Sequence, residues 1–225
     1  MERHFDTELD ALKQDVIEMG TLAQEAIRNS IEALKTRRRE LAASVIERDR
    51  VIDQLELRID EKCIDLIARY QPMAKDLRLI TTGMKINAEL ERIADLAVDI
   101  AQRTLELVDK PLLKPLIDIP KLTVLAQTMI REAIESFVRG DIELAKKVVL
   151  SDPEADGLRN AIQEELIDDY MVKDGSTAPR AVQLLLIARF LERICDHTTN
   201  IAENVIYMVQ AEVVRHHPER LADGS

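Results

Sequence analysis

A twelve-residue stretch that occurs twice constrains this chain more than any other feature: Leu90 to Ala101 and Leu191 to Ala202, both reading LERIxDxxx(D/N)IA. In each copy the apolar residues recur at alternating steps of three and four, through Ile86, Leu90, Ile93, Ala97 and Ile100, and through Ile187, Leu191, Ile194, Thr198 and Ile201. Such spacing is that of an α-helix burying one seam. At roughly 100° per residue, Glu91, Asp95 and Asp99 stack in a column about 180° from the seam, and Glu192, Asp196 and Asn200 do the same in the second copy. Each helix therefore carries oxygen-bearing side chains on the side away from its core.

The duplication extends through the chain. Leu22-Ala23-Gln24 returns as Leu125-Ala126-Gln127, an offset of 103, and the same offset maps Glu40-Leu41-Ala42 on Glu143-Leu144-Ala145 and Asp49 and Asp53 on Asp152 and Asp156. Between the LERI copies the offset is 101, a slippage of two that a surface loop absorbs. Periodicity and punctuation predict helices over Thr7 to Lys35, Glu40 to Tyr70 (ended by Pro72) and Lys75 to Val108 in the first half. The second half reads as helices over Lys121 to Arg139, Asp141 to Tyr170, bent at Pro153, and Pro179 to Val214. Pro111, Pro115 and Pro120 make the connection a stiff linker. The expected organisation is an all-α chain of two tandem three-helix bundles, 1–110 and 120–214, joined by 111–119 and followed by a fraying tail, 215–225.

Composition agrees. Six Gly, seven Pro, no Trp and 3% aromatics disfavour a β-rich fold, while 46% hydrophobic residues in 225 supply a core. A net charge of −11 argues against gripping nucleic acid and suits cations or basic partner surfaces. No apolar run approaches the roughly 20 residues needed to cross a bilayer, and the start lacks a signal-peptide core, so a cytoplasmic location is expected. Cys63 and Cys195 lie within helical patterns without CxxC spacing and read as small buried hydrophobes.

Acidic residues are about a fifth of the chain, so chance alone gives about eight acidic pairs at i, i+4, and a solvated acidic face is the plain alternative. Two features favour metal binding instead. The columns recur at equivalent positions, and the stripe Met84, Ala88, Glu91, Asp95, Asp99, Gln102 contains no Lys or Arg to offset its charge. Stacked carboxylates repel and call for a cation. Oxygen donors without Cys or His favour hard ions, Mg²⁺, Ca²⁺, Mn²⁺ or Fe³⁺, over structural zinc. The candidate ligands are Asp49, Asp53, Glu91, Asp95 and Asp99 in the first half, and Asp152, Asp156, Glu192, Asp196 and Asn200 in the second. His197 sits about 100° round the helix from Asp196 and reads as a packed histidine rather than a ligand. There is no Gly-rich phosphate loop, GxSxG elbow, HExxH or ExxH, so an enzyme is the lesser reading; a carboxylate-bridged metal enzyme or metal store remains the rival.

At LERICDHTTNIAE followed by Asn204-Val205-Ile206-Tyr207, the sequence resembles the PhoU family, and LERIADLAVDIA, Arg3-His4-Phe5-Asp6, Val45-Ile46-Glu47-Arg48-Asp49 and Gln71-Pro72-Met73-Ala74-Lys75-Asp76-Leu77-Arg78 are similar to its usual wording. The resemblance spans nearly the whole chain. It implies a cytoplasmic, often homodimeric negative regulator that links the phosphate ABC transporter, through its ATPase subunit, to a PhoR-type sensor histidine kinase, meeting the membrane only through these partners. It also implies metal clusters on the motif residues Glu91, Asp95, Glu192 and Asp196, with the helix-two and helix-five aspartates fitting beside them. Two departures stand out: Ala94 and Cys195 replace a usual Gly, and Asp99 replaces a usual Asn. The extra negative ligand makes the first half the expected tighter site.

Overall fold

A computed structural model describes residues 2–211, with side chains from His4 onward. The sixth helix, expected to reach Val214, closes at Gln210 with Ala211 in the left-handed conformation; residues 212–214 and the expected tail, 215–225, lie outside the described residues. Six long helices follow in order: α1 (Glu2–Thr36), α2 (Arg39–Tyr70), α3 (Ala74–Leu107), α4 (Asp118–Arg139), α5 (Ile142–Glu164) and α6 (Ala178–Gln210). Among the described residues there is no strand, and no helix is long and apolar enough to cross a membrane.

Three boundaries differ from expectation, each for a physical reason. α1 begins at Glu2 rather than Thr7 because Phe5 stacks on Tyr70 at the far end of α2, ring centroids 4.8 Å apart, a tertiary contact that no local pattern announces. α4 begins at Asp118, so Pro120 belongs to its first turn, where a missing N–H costs nothing. α5 is capped by Asp141, whose carboxylate accepts from the Leu144 N–H at 3.0 Å, and continues through Pro153. It does not stay α-helical to Tyr170: Glu165–Met171 widen into a π-helix, followed by a 3₁₀ turn at Gly175–Thr177.

Within each half the helices pack as the repeat predicts, α1 and α2 on α3, and α4 and α5 on α6. The bundles are nevertheless fused. The longest seam in the molecule joins α3 to α6, α1 also meets α4, and one apolar core runs unbroken through both halves. Every residue of the two predicted seams, Ile86 to Ile100 and Ile187 to Ile201, is completely buried. Each buried Leu or Ile contributes about 2 kcal/mol before the entropy of ordering the chain is subtracted. The α1–α4 approach depends on Gly20, where an added Cβ would lie 1.9 Å from Cδ1 of Ile134.

The two turns that follow α1 and α4 preserve the 103-residue offset in their backbones. Gly140 ends α4 at φ +64°, and Arg37, its counterpart after α1, stands at φ +58°. Glycine adopts this left-handed conformation freely, whereas arginine pays for it. Arg37 recovers the cost by turning its guanidinium onto the carbonyls of Leu107, Val108 and Lys110, capping the C-terminal end of α3. The Pro-rich connection is packed as a strap rather than hung as a spacer. Leu113 and Leu116 rest on the core, Lys114 is buried against Glu165, and Arg180 donates to the Pro111 carbonyl at 3.2 Å.

Candidate metal centre

The column on α3 looks away from its own seam but toward α2. On α2 the residues Asp49, Asp53, Glu56 and Asp60, at steps of four, three and four, form an opposing acidic stripe. Burial and neighbouring carboxylates, several of them across the groove, raise the members whose ionisation is perturbed. Asp49 is pushed up to about 6, first by burial and then by Asp53 and by Asp95 across the groove. Glu91 is raised by burial and by Asp95, Glu56 and Asp53, with Arg92 offsetting part of the effect. Asp95 is raised by burial, Asp53 and Asp99, and Glu56 by burial, Asp60 and Asp53. Asp49 and Asp53 on α2 thus face Glu91 and Asp95 on α3, with Asp99 one turn further along α3.

The second half repeats the arrangement with fewer charges. Asp196 is pushed up to about 6 by burial and by Glu192, Asp152 and Asp156, which gathers the four α5 and α6 carboxylates expected there. Asp152 is raised by burial, with Asp156 adding to the rise and a hydrogen bond from the Thr199 hydroxyl at 3.1 Å opposing it. Asn200 has another engagement: its amide nitrogen donates to Glu89 on α3 at 3.4 Å. Glu89 also meets Nδ1 of His197 at 2.6 Å, so the histidine is a packed strut between the repeats, not a ligand. Burial pulls the Glu89 carboxyl upward, but the hydrogen bond and charge of His197, helped by Asn200 and Arg92, leave it below its ordinary value.

Sequence reasoning missed four participants. Glu56 and Asp60 extend the α2 stripe, and their spacing from Asp49 and Asp53 made them legible. Asn87, completely buried one turn before Glu91, donates to the Glu56 carbonyl at 2.9 Å and to Asp60 at 3.1 Å. Its own Oδ1 is buried without a partner. In the second half the position equivalent to Glu56 is Arg159, 103 residues on, and its guanidinium lies 3.6 Å from Glu192. One substitution of sign thus makes the first groove the more negative of the two.

These residues suit a hard cation in chemistry: oxygen donors throughout, carboxylates raised by burial and then by one another, and the unpartnered Asn87 carbonyl oxygen one turn from Glu91. They do not form a closed cage. Among the described residues no group of three or more His, Cys, Asp or Glu side chains is gathered tightly enough to hold a metal ion. Repelling carboxylates splay apart, and a bound cation would have to draw them together. Both cysteines are buried and free, with Cys63 pushed up to about 12 by burial, so neither offers a thiolate.

Two fused three-helix bundles, each with a carboxylate column on its third helix facing aspartates on its second, define a class: all-helical tandem-repeat proteins whose distinguishing surface is an acidic groove in each repeat. The PhoU domain matches residues 16–104 and 119–205, once per repeat, and the chain belongs to the PhoU domain family. It is 42% identical over 209 residues to the phosphate-specific transport system accessory protein PhoU homolog of Aquifex aeolicus, covering 93% of this chain and 94% of that one. The crystal structure of PhoU from Pseudomonas aeruginosa superposes with a TM-score of 0.88 at 35% identity, covering 92% of this chain and all of that one. The phosphate transport system regulatory protein PhoU from Streptococcus pneumoniae gives 0.86 at 28% identity, covering 93% of this chain and 99% of that one.

Proposed function

We propose that this chain is an accessory regulator of a phosphate transport system, restraining uptake and starvation signalling when phosphate is plentiful. The observation that carries the reading is the nearly end-to-end likeness to accessory proteins of phosphate-specific transport, with the PhoU domain matched once in each repeat. In this reading the protein is a cytoplasmic homodimer that bridges the ATPase subunit of a phosphate ABC transporter and a sensor histidine kinase. Mg²⁺, Mn²⁺, Ca²⁺ or Fe³⁺ bound in the grooves supplies the positive charge that cancels carboxylate repulsion. Asp49, Asp53, Glu91, Asp95 and Asp99 hold the ion in the first repeat, and Asp152, Asp156, Glu192 and Asp196 in the second. Asn200, committed to Glu89, is a lesser ligand there.

Deleting the gene tests the regulatory role: phosphate-uptake genes should be expressed in high phosphate, and unchanged expression overturns it. Elemental analysis tests the grooves separately. Asp95→Asn should lower bound Mn²⁺ or Fe³⁺ more than Asp196→Asn does, because Arg159 already offsets charge in the second groove. Equal metal in wild type and both variants would leave only a solvated acidic face.

A further inference from the structure

An open cavity of about 390 Å³ lies where the two repeats meet, lined from α1, α3, α4 and the end of α6. Its charge is opposite to that of the molecule. Lys13, Lys75, Arg78 and Arg139 line it and, among the described residues, no carboxylate does, in a chain of net charge −11. Its apolar lining is Leu79, Val138 and Val209, with Phe137 and Met208 buried behind them.

The plainest account of the four cations is that they balance nearby helix ends, and it covers only part of the charge. The C-terminal ends of α4 and α6 reach this place and together amount to about −1 charge, while the N-terminal end of α3 adds about +0.5. Arg78 serves as a cap, its Nε donating to the Met208 carbonyl at 3.1 Å, but its two terminal nitrogens are not used in that bond. Lys13 has a long contact to exposed Asp10, 3.4 Å, and Arg139 pairs with Glu135 on its own helix at 2.7 Å. These are surface pairs that contribute little and are readily exchanged. No side chain caps the start of α3, and among the described residues Lys75 in its first turn makes no ion pair. Lys75 and the terminal nitrogens of Arg78 therefore remain without a carboxylate partner, and Lys13 and Arg139 beside them are held only by exchangeable surface pairs.

The geometry points to a binding site for a phosphorylated organic anion of nucleotide size. Guanidinium and ammonium groups together are the donors that recognise phosphoryl oxygens. The volume falls in the range of small-molecule sites, and the apolar lining has no use for a bare inorganic ion. Because the lining comes from both repeats, the ligand would clamp one against the other and stabilise the fold increasingly as its concentration exceeds its dissociation constant. This site is remote in composition from the acidic grooves, shares no residue with them, and does not depend on the regulatory reading above.

Calorimetric titration of the full chain, freed of metal on a chelating resin, tests the inference with ADP, ATP and pyrophosphate as probes. ADP and ATP should bind one per chain and raise the melting temperature, with pyrophosphate at least tenfold weaker because it leaves the apolar lining uncovered. Lys75→Gln and Arg139→Gln, both at exposed positions, should each weaken nucleotide binding about tenfold, the loss of one charge-assisted hydrogen bond. Lys121→Gln, an exposed cation at the start of α4, should change nothing. No binding of either nucleotide, equal affinity in wild type and the two cavity variants, or pyrophosphate binding as tightly as ADP would overturn the assignment.

Discussion

Asp49→Asn offers the sharpest test of the acidic groove, because the direction of its effect is opposite to that of most buried substitutions. The carboxyl is raised from its ordinary 3.8 to about 6 by burial and by Asp53 and Asp95, so the folded protein holds this charge against a penalty. At about 1.4 kcal/mol per pH unit the rise corresponds to about 3 kcal/mol, and partial solvent screening of a half-buried side chain reduces that to about 1–1.5 kcal/mol. For a carboxylate raised on folding, the penalty is absent below pH 3.8, grows between 3.8 and about 6, and is complete above it. Metal-free wild type should therefore gain stability as pH falls from 7.5 toward 5.5. Asp49→Asn should be more stable than wild type at pH 7.5, by about 3–5 °C for a chain of this size, and should lose about half of that advantage by pH 5. Thermal melts by circular dichroism at both pH values, with metal removed, read the effect. A metal-free Asp49→Asn less stable than wild type at pH 7.5, or equally more stable at both pH values, would refute the argument that burial, with Asp53 and Asp95 adding to it, raises this carboxyl.

Two further outcomes follow from the joint between the repeats. Gly20→Ala should destabilise the protein by about 1–2 kcal/mol in urea melts, overpacking against Ile134 outweighing the helix propensity gained, and Ile134→Val, which removes the clashing Cδ1, should restore most of the loss in the double variant. His197→Ala should cost about 2 kcal/mol at neutral pH because it strands Glu89 in a largely buried position, and the cost should fade as acid protonates Glu89; a pH-independent loss would mean that packing alone is involved.

Local periodicity carried most of the fold and much of the site. The seams of α3 and α6 are one-dimensional signals, since a helix converts spacing along the chain directly into a face, and the repeat copied that signal at a fixed offset. The same geometry placed Glu91, Asp95 and Asp99 in a column and made Asp49 and Asp53 candidates to oppose them. Tertiary structure decided everything that depends on which faces meet. That α1 starts at Glu2 follows from Phe5 reaching Tyr70, that Arg37 tolerates a left-handed backbone follows from α3 ending within its reach, and that Asn200 and His197 serve Glu89 follows from α6 crossing α3. Nor does any stretch of sequence announce that Lys13, Lys75, Arg78 and Arg139 share one cavity, because they are drawn together from three helices in two repeats. The hydrophobic pattern specifies that a face is buried, not what it is buried against, and the charges on its rim acquire neighbours only when the partner helix arrives.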